Sequence, residues 1–353
     1  MTAKRKRIPR WVWTLVKLAL AACVVALMVH AGAIRPEHLE HAAKRWPLLL
    51  AALGTILVGI FLTSVRWGVL LRAQDIRIRV TELFRLTMTG LFFTLVAPGG
   101  LGGDAIKAYF VGRGREKKAE AATTVFLDRF LGLATMFLAA AAMIAVDFDR
   151  LWNAEVKGLD RFGMPGGRVL VILIAACMGS MVVFSAAMMS RRLRRTGLFA
   201  AVSRLVPFRR TVRRVYRAIH LYRDHPGALC WAALVSIGAQ IPLYVIYYLY
   251  GIAVGADIQL WHVALIVPPA MVIRVLPLAP GGVGQGAFAM SLLFPLVGLS
   301  SGGDIGAVGD AMFVIVYLIG GLFFLFGKAS FSEMRAAAEL AAGSAAESGA
   351  ESE

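Results

Sequence analysis

Five charged residues fall inside, or at the edges of, otherwise apolar stretches of the chain: Asp104, Asp128, Arg129, Arg274 and Asp310. An ionised side chain in hydrocarbon costs at least about 2.5 kcal/mol on insertion scales, so each needs a counter-charge, a backbone partner or water. Asp104 ends the run Pro98-Gly99-Gly100-Leu101-Gly102-Gly103, with Lys107 close behind it, and Arg274 precedes the run Pro280-Gly281-Gly282-Val283-Gly284. Proline removes a backbone donor and glycine accepts positive φ, so such runs break a helix and free backbone N–H groups. Freed groups at membrane depth are tolerated only where they are buried in protein or line a polar cavity. A helix restarting after Gly103 would turn its positive end toward the break, which suits a bound anion. The competing reading is a close helix crossing that uses glycine for its small size.

The candidate substrate-binding residues are therefore Pro98, Gly99, Gly100, Gly102, Gly103, Asp104, Lys107, Arg129, Arg274, Pro280, Gly281, Gly282 and Gly284. Asp128, Asp310 and Arg66 read as ion-pair or ion-coupling groups. Adjacent helical residues point about 100° apart, so Asp128 and Arg129 do not neutralise each other. Arg66 is the partner expected for Asp128, and Arg129 is expected to face a cavity. The scattered histidines and the cysteines Cys23, Cys177 and Cys230 show no metal-ligand spacing. The cysteines read as buried small hydrophobes, and neither a metal nor a cofactor is expected. No motif for nucleophilic or phosphate-loop catalysis is present.

These residues must be positioned by membrane elements. Of 353 residues, 59% are hydrophobic and only 17% charged, against about 25% charged in soluble domains. That excludes a water-soluble enzyme. The fold class expected is an all-α polytopic membrane protein. Six apolar segments are long enough to cross: 11–31, 47–65, 120–146, 168–190, 226–250 and 305–327. Lys4–Arg7 with Ala31-Gly32-Ala33 has the flanks of a secretory signal, but the apolar run is long for one, and an uncleaved first span is preferred. Two more segments, 83–112 and 263–299, are interrupted by the Pro-Gly runs. Each arm of about 15 residues covers roughly 22 Å, short of the ~30 Å hydrocarbon core, so these segments are read as re-entrant hairpins.

The net charge of +17 is a topology signal in this setting, not a nucleic-acid footprint. With both broken segments as hairpins and the N-terminus cytoplasmic, 28 of the 38 Lys and Arg lie on the cytoplasmic side and 7 outside. The 11 Arg of residues 191–223 would otherwise face outward. The halves 11–146 and 168–327 then carry the same elements in opposite orientation, an inverted-topology repeat. Ala97-Pro98-Gly99-Gly100-Leu101-Gly102 recurs as Ala279-Pro280-Gly281-Gly282-Val283-Gly284, an offset of 182 that also places Asp128 on Asp310. The chain thus divides into a basic cytoplasmic N-terminus (1–10), one membrane domain (11–328) with an amphipathic basic segment at 191–225, and a partly disordered cytoplasmic tail (329–353).

Pro98-Gly99-Gly100-Leu101-Gly102-Gly103-Asp104 with Lys107, the Asp128-Arg129 pair, Arg66-Trp67, and Pro280-Gly281-Gly282-Val283-Gly284 together resemble the transmembrane-domain family of lysylphosphatidylglycerol synthase, whose members are also called flippase-like proteins. The resemblance covers residues 11–327. It implies a membrane domain that moves anionic or polyprenyl-linked lipids between leaflets of the cell membrane, with those lipids, and a lipid-modifying enzyme, as partners. Many relatives carry an acidic residue shortly after the second glycine motif, where this chain has Gln285, Gly286 and Ala287. The sequence runs only about 25 residues past its last span, so a soluble aminoacyl-transferase domain is not expected. A membrane glycosyltransferase is the enzymatic alternative. It is disfavoured because the outer carboxylates Glu37, Glu40, Asp147, Asp149, Glu155 and Asp160 form no tight pair. An accessory membrane protein of envelope synthesis is the third reading.

The topology has a direct check. In a background lacking the three native cysteines, Arg115→Cys and Arg195→Cys should both resist an impermeant thiol reagent added to intact cells. Labelling of either from outside would mean that the first broken segment crosses the membrane.

Overall fold

The computed structural model describes residues 40, 42–96, 102–112, 118–153, 165–189, 222, 225–275 and 284–326. Among these the regular structure is helical, with no strand. The expected first span with Cys23, the turns carrying Pro98–Gly100 and Pro280–Gly282, nearly all of the basic segment 191–225, and the tail lie outside the described residues.

Helix α1 runs Trp46–Arg72, α2 Val80–Val96, α3 Gly102–Gly112, α4 Lys118–Val146 and α5 Phe148–Trp152. After residue 165 come α6 (Gly166–Met189), α7 (Pro226–Gly238), α8 (Gln240–Val254) and α9 (Leu260–Val275). Then follow α10 (Gln285–Leu293), a 3₁₀ turn at Phe294–Val297, and α11 (Gly302–Leu325). Four stretches are long and apolar enough to cross a bilayer: Trp46–Arg72, Glu120–Val146, Pro226–Val254 and Gly302–Leu325. Leu50, Val58, Leu138, Val183, Trp231, Ile241 and Phe288 are each more than half exposed. Such an apolar exterior is unstable in water and natural in lipid. The chain is an integral membrane protein.

Three local features differ from the sequence expectation, each for an identifiable reason. The apolar segment 47–65 was expected to end at 65, where hydropathy falls, yet α1 continues to Arg72 and carries Arg66 and Trp67 buried within it. A charge does not end a helix when its partner is available, and α1 closes instead at the turn through Asp75 (φ 57°). The span 226–250 is divided at Ala239. Pro242 has no N–H to give to the carbonyl of Gly238, and its ring crowds that carbonyl. Among the cysteines, Cys177 is half-buried but Cys230 is exposed beside Trp231. It belongs to the outer face of α7 and not to a core.

The centre of the bundle is α11. Of its most apolar window 56% is buried, against 17–22% for the other three spans. It packs on α2, α8 and α10, while α4 packs on α3, α6 and α9, and α1 on α7 and α8. Close approach is permitted by small residues, as in other membrane helix pairs. A Cβ on Gly320 would overlap the backbone carbonyl of Met88 in α2, and one on Gly302 would overlap that of Met290 in α10.

Gly320→Ala should therefore destabilise the detergent-solubilised protein by about 1–3 kcal/mol, the usual range for overpacking, read as a lower Tm. Gly54→Ala is the control, since a Cβ there meets nothing within 4 Å and alanine favours the helix. Equal melting of the two variants would refute close packing of α2 on α11.

Candidate functional site

The described intramembrane charges come together as three arginine–carboxylate pairs. In the first, Arg66 of α1 donates from Nε to Asp128 Oδ1 of α4 at 2.7 Å and from a terminal guanidinium nitrogen to Ser236 Oγ of α7 at 3.1 Å. The Ser236 hydroxyl in turn donates a hydrogen bond to the Ala232 carbonyl. Gly132 leaves room for the guanidinium, because a Cβ there would lie 3.1 Å from it. Next to this pair Trp67 Nε1–H donates to Thr124 Oγ1 at 3.2 Å. Arg66 and Asp128 are both nearly sealed, with side chains 7% and 10% exposed, so the pair ties α1, α4 and α7 together.

The second pair joins α4 to α3. Arg129 grips Asp104 with two donors, Nε at 3.1 Å and a terminal nitrogen at 3.0 Å, both to Oδ1, while Nε also lies 2.9 Å from Oδ2. Its exposure sets it apart. The Arg129 side chain is 54% exposed and that of Asp104 21%. Asp104 stands in the first turn of α3, the helix that begins where the Pro98–Gly103 run ends. Gly103 packs so tightly on Gly90 of α2 that a Cβ would overlap the Gly90 carbonyl. Lys107, half-buried one turn further along α3, holds its ammonium 5.3 Å above the Trp67 ring. The first half thus presents one open ion pair, one buried pair and a lysine along the same stretch of α3 and α4.

The third pair lies in the second half. Arg274 of α9 sits 3.0 Å from Asp310 Oδ1 of α11, with side chains 9% and 0% exposed. The other carboxylate oxygen accepts the backbone N–H of Gly284 (2.8 Å) and Ala287 (3.1 Å), so Asp310 caps the N-terminus of α10 from a different helix. Arg274 also donates to Tyr247 Oη at 3.4 Å and stacks 4.1 Å over Phe313. Gly286 has no space for a side chain, since a Cβ would come within 2.7 Å of the Arg274 guanidinium. Around this pair the Tyr250 hydroxyl, a terminal nitrogen of Arg274 and both polar atoms of the Gln285 amide are buried without a hydrogen-bond partner.

The two broken helices therefore differ at equivalent places. At the offset of 182, Asp104 corresponds to Gly286 and Asp128 to Asp310. In the first half the carboxylate on the restarted helix meets an exposed arginine. In the second half that position is glycine, and the carboxylate of the following span fills the helix N-terminus instead. Of the residues singled out from sequence, Gly102, Gly103, Asp104, Lys107 and Arg129 lie together, Arg66 and Asp128 form the neighbouring pair, and Arg274, Gly284 and Asp310 form the other cluster. Pro98, Gly99, Gly100, Pro280, Gly281 and Gly282 lie outside the described residues. Sequence reasoning missed the Arg274–Asp310 contact, the capping role of Asp310, and Tyr247, Tyr250 and Gln285. The 182 offset was the available signal, since it already set Asp310 opposite a residue with an assigned partner.

Comparison with known proteins places the chain in a family. The model of the lysylphosphatidylglycerol synthase TM region matches residues 14–309. The chain belongs to that family. A UPF0104 membrane protein of Methanothermobacter thermautotrophicus is 27% identical over 303 residues, covering 78% of this chain and 84% of the relative. No solved structure matches. The lysylphosphatidylglycerol synthase TM region, as matched, contains the first two ion pairs and Arg274, and it ends one residue before Asp310.

Breaking a buried ion pair from one side costs about 3–5 kcal/mol, whereas replacing both partners with apolar groups is often neutral. Asp128→Leu should lower the Tm strongly, and Arg66→Met with Asp128→Leu should restore most of it. The same treatment of the other pair should fail, because Arg274→Met with Asp310→Leu still strips the acceptor from Gly284 and Ala287. Equal rescue of both pairs in thermal unfolding would contradict the capping role of Asp310.

Proposed function

We propose that this protein translocates an anionic or polyprenyl-linked lipid between membrane leaflets, and that the lipid phosphate is held at the first broken helix by Arg129. The observation that carries this reading is the exposure of the Arg129–Asp104 pair. Arg129 lies 11 residues into α4, about 16 Å along its axis at 1.5 Å per residue, and more than half of its side chain is uncovered. A guanidinium facing lipid at such depth is expensive, so the surface it occupies is best read as a water-accessible path. Arginine's planar fork matches a phosphate, and the N-terminus of α3 adds a favourable field for the same anion. The substrate phosphate would take the place that Asp104 holds in the empty protein, leaving that carboxylate to couple charge or protons.

The architecture supporting this activity is six spans with two re-entrant hairpins, the halves inserted in opposite directions. Its support lies in the packing. The first arm of the first broken segment, α2, packs on α11, and the first arm of the second, α9, packs on α4. Each half thus lends its broken segment to the long helix of the other, as an inverted repeat requires. The reading places the protein in the cell membrane with both termini cytoplasmic, beside an enzyme that makes or consumes the lipid.

Reconstitution in liposomes tests the reading, with leaflet exchange of labelled anionic, zwitterionic and polyprenyl-phosphate lipids as the readout. Wild type should exchange an anionic or polyprenyl-phosphate lipid, and Arg129→Ala should abolish exchange while remaining folded. Arg129→Lys should recover it only in part, because a compact ammonium lacks the bidentate fork. Exchange by Arg129→Ala at the wild-type rate would make this arginine structural and remove the basis of the proposal.

A further inference from the structure

The turn between α1 and α2 brings three arginines around one cavity. The Ile76 and Gln74 N–H groups both donate to the Leu71 carbonyl, and Asp75 adopts positive φ, so the chain folds back at the end of α1. Ile76 is buried and pins the fold-back. Residues 76–79 then form no regular structure, and Arg77 and Arg79 emerge exposed on alternate positions. Together with Arg72, from the last turn of α1, and half-buried Ile78, they line a cavity of about 530 Å³. That volume lies within the ~300–1,000 Å³ usual for small-molecule sites.

None of Arg72, Arg77 and Arg79 makes an ion pair among the described residues. Asp75 and Glu82 flank the turn in sequence and are not part of the lining. Arg72 is well placed for the negative end of α1, but Arg79 directly precedes α2, where a cation is disfavoured and an anion favoured. The location narrows the anion. Helix α1 is 27 residues long, about 40 Å, so its C-terminal end emerges at headgroup level. There guanidinium groups attract anionic lipid, with Ile78 toward the acyl boundary.

We infer that the Arg72–Arg77–Arg79 cavity binds the phosphate of an anionic phospholipid in the leaflet it faces, as a second lipid site separate from the break at Arg129. The site stands independently of translocation, so its test measures binding and not exchange. Dihexanoyl phosphatidylglycerol, dihexanoyl phosphatidylcholine and inorganic phosphate are titrated calorimetrically into full-length protein carrying Arg129→Ala in neutral detergent, so that the site proposed at the break does not contribute. The phosphatidylglycerol should bind saturably, more weakly as salt rises, and the phosphatidylcholine should not. Arg72→Gln with Arg77→Gln and Arg79→Gln should weaken that binding at least tenfold. Arg77→Gln alone, at an exposed position outside any helix, should weaken it about threefold. Gly54→Ala, whose added Cβ meets nothing within 4 Å, should leave it unchanged. Undiminished binding in the triple variant would overturn the assignment. Inorganic phosphate binding as tightly as the lipid would make this a site for a soluble anion and overturn it equally.

Discussion

An ion inside a membrane cannot borrow water, so the positions of its counter-ions decide how the helices stand. Arg66–Asp128 and Arg274–Asp310 each join helices that are far apart in sequence, and both are almost completely sealed. Each also recruits a neutral partner, Ser236 in one case and Tyr247 in the other. The pairs impose register. Shifting α4 by one residue relative to α1 would replace Asp128 opposite Arg66 with a hydrocarbon side chain or a second cation. Hydrophobic contact alone cannot supply that discrimination here, because lipid tails are as apolar as the helix faces they cover.

Against these two closed pairs the Arg129–Asp104 contact stands out by being open. It presents two guanidinium donors to one carboxylate oxygen, and the same planar edge of arginine can grip a phosphate. A surface pair in high dielectric is worth little, about 0–1 kcal/mol, so holding Asp104 costs Arg129 little freedom to change partners. The exposed pair is exchangeable, while the buried pairs are frameworks. The same contrast separates the halves, since the second broken helix has its N-terminus filled by Asp310 and the first carries its carboxylate on its own first turn.

Much of this was readable from residue types. The cost of a bare carboxylate at depth demanded a cation for Asp128, and Arg66 was a basic residue bordering a neighbouring apolar run. The long apolar helices followed from composition and run length. The Arg274–Asp310 contact did not follow, because the partners are 36 positions apart, with a Pro-Gly run between them, and only the packing of α9, α10 and α11 brings them together. The end of α1 was misplaced because a falling hydropathy was taken as a helix end, although Arg66 and Trp67 are hidden once Asp128 and Thr124 face them. Exposure of Cys230 could not be inferred from an apolar run, since in a membrane both faces of such a helix are apolar.

The cap that Asp310 places on α10 also bears on biogenesis. Helix α10 has nine residues, below the ~12–15 at which an isolated helix begins to hold in water, and its first N–H groups wait for a carboxylate that lies 26 residues beyond Gly284. Those residues are polymerised before Asp310 is, and the cap forms only once α11 has folded beside them. The second broken segment must then rest in a provisional state, its amides solvated or borrowed by the insertion machinery, until α11 arrives and closes it. Final assembly of this half is therefore a late, post-insertion step governed by the last helix of the bundle.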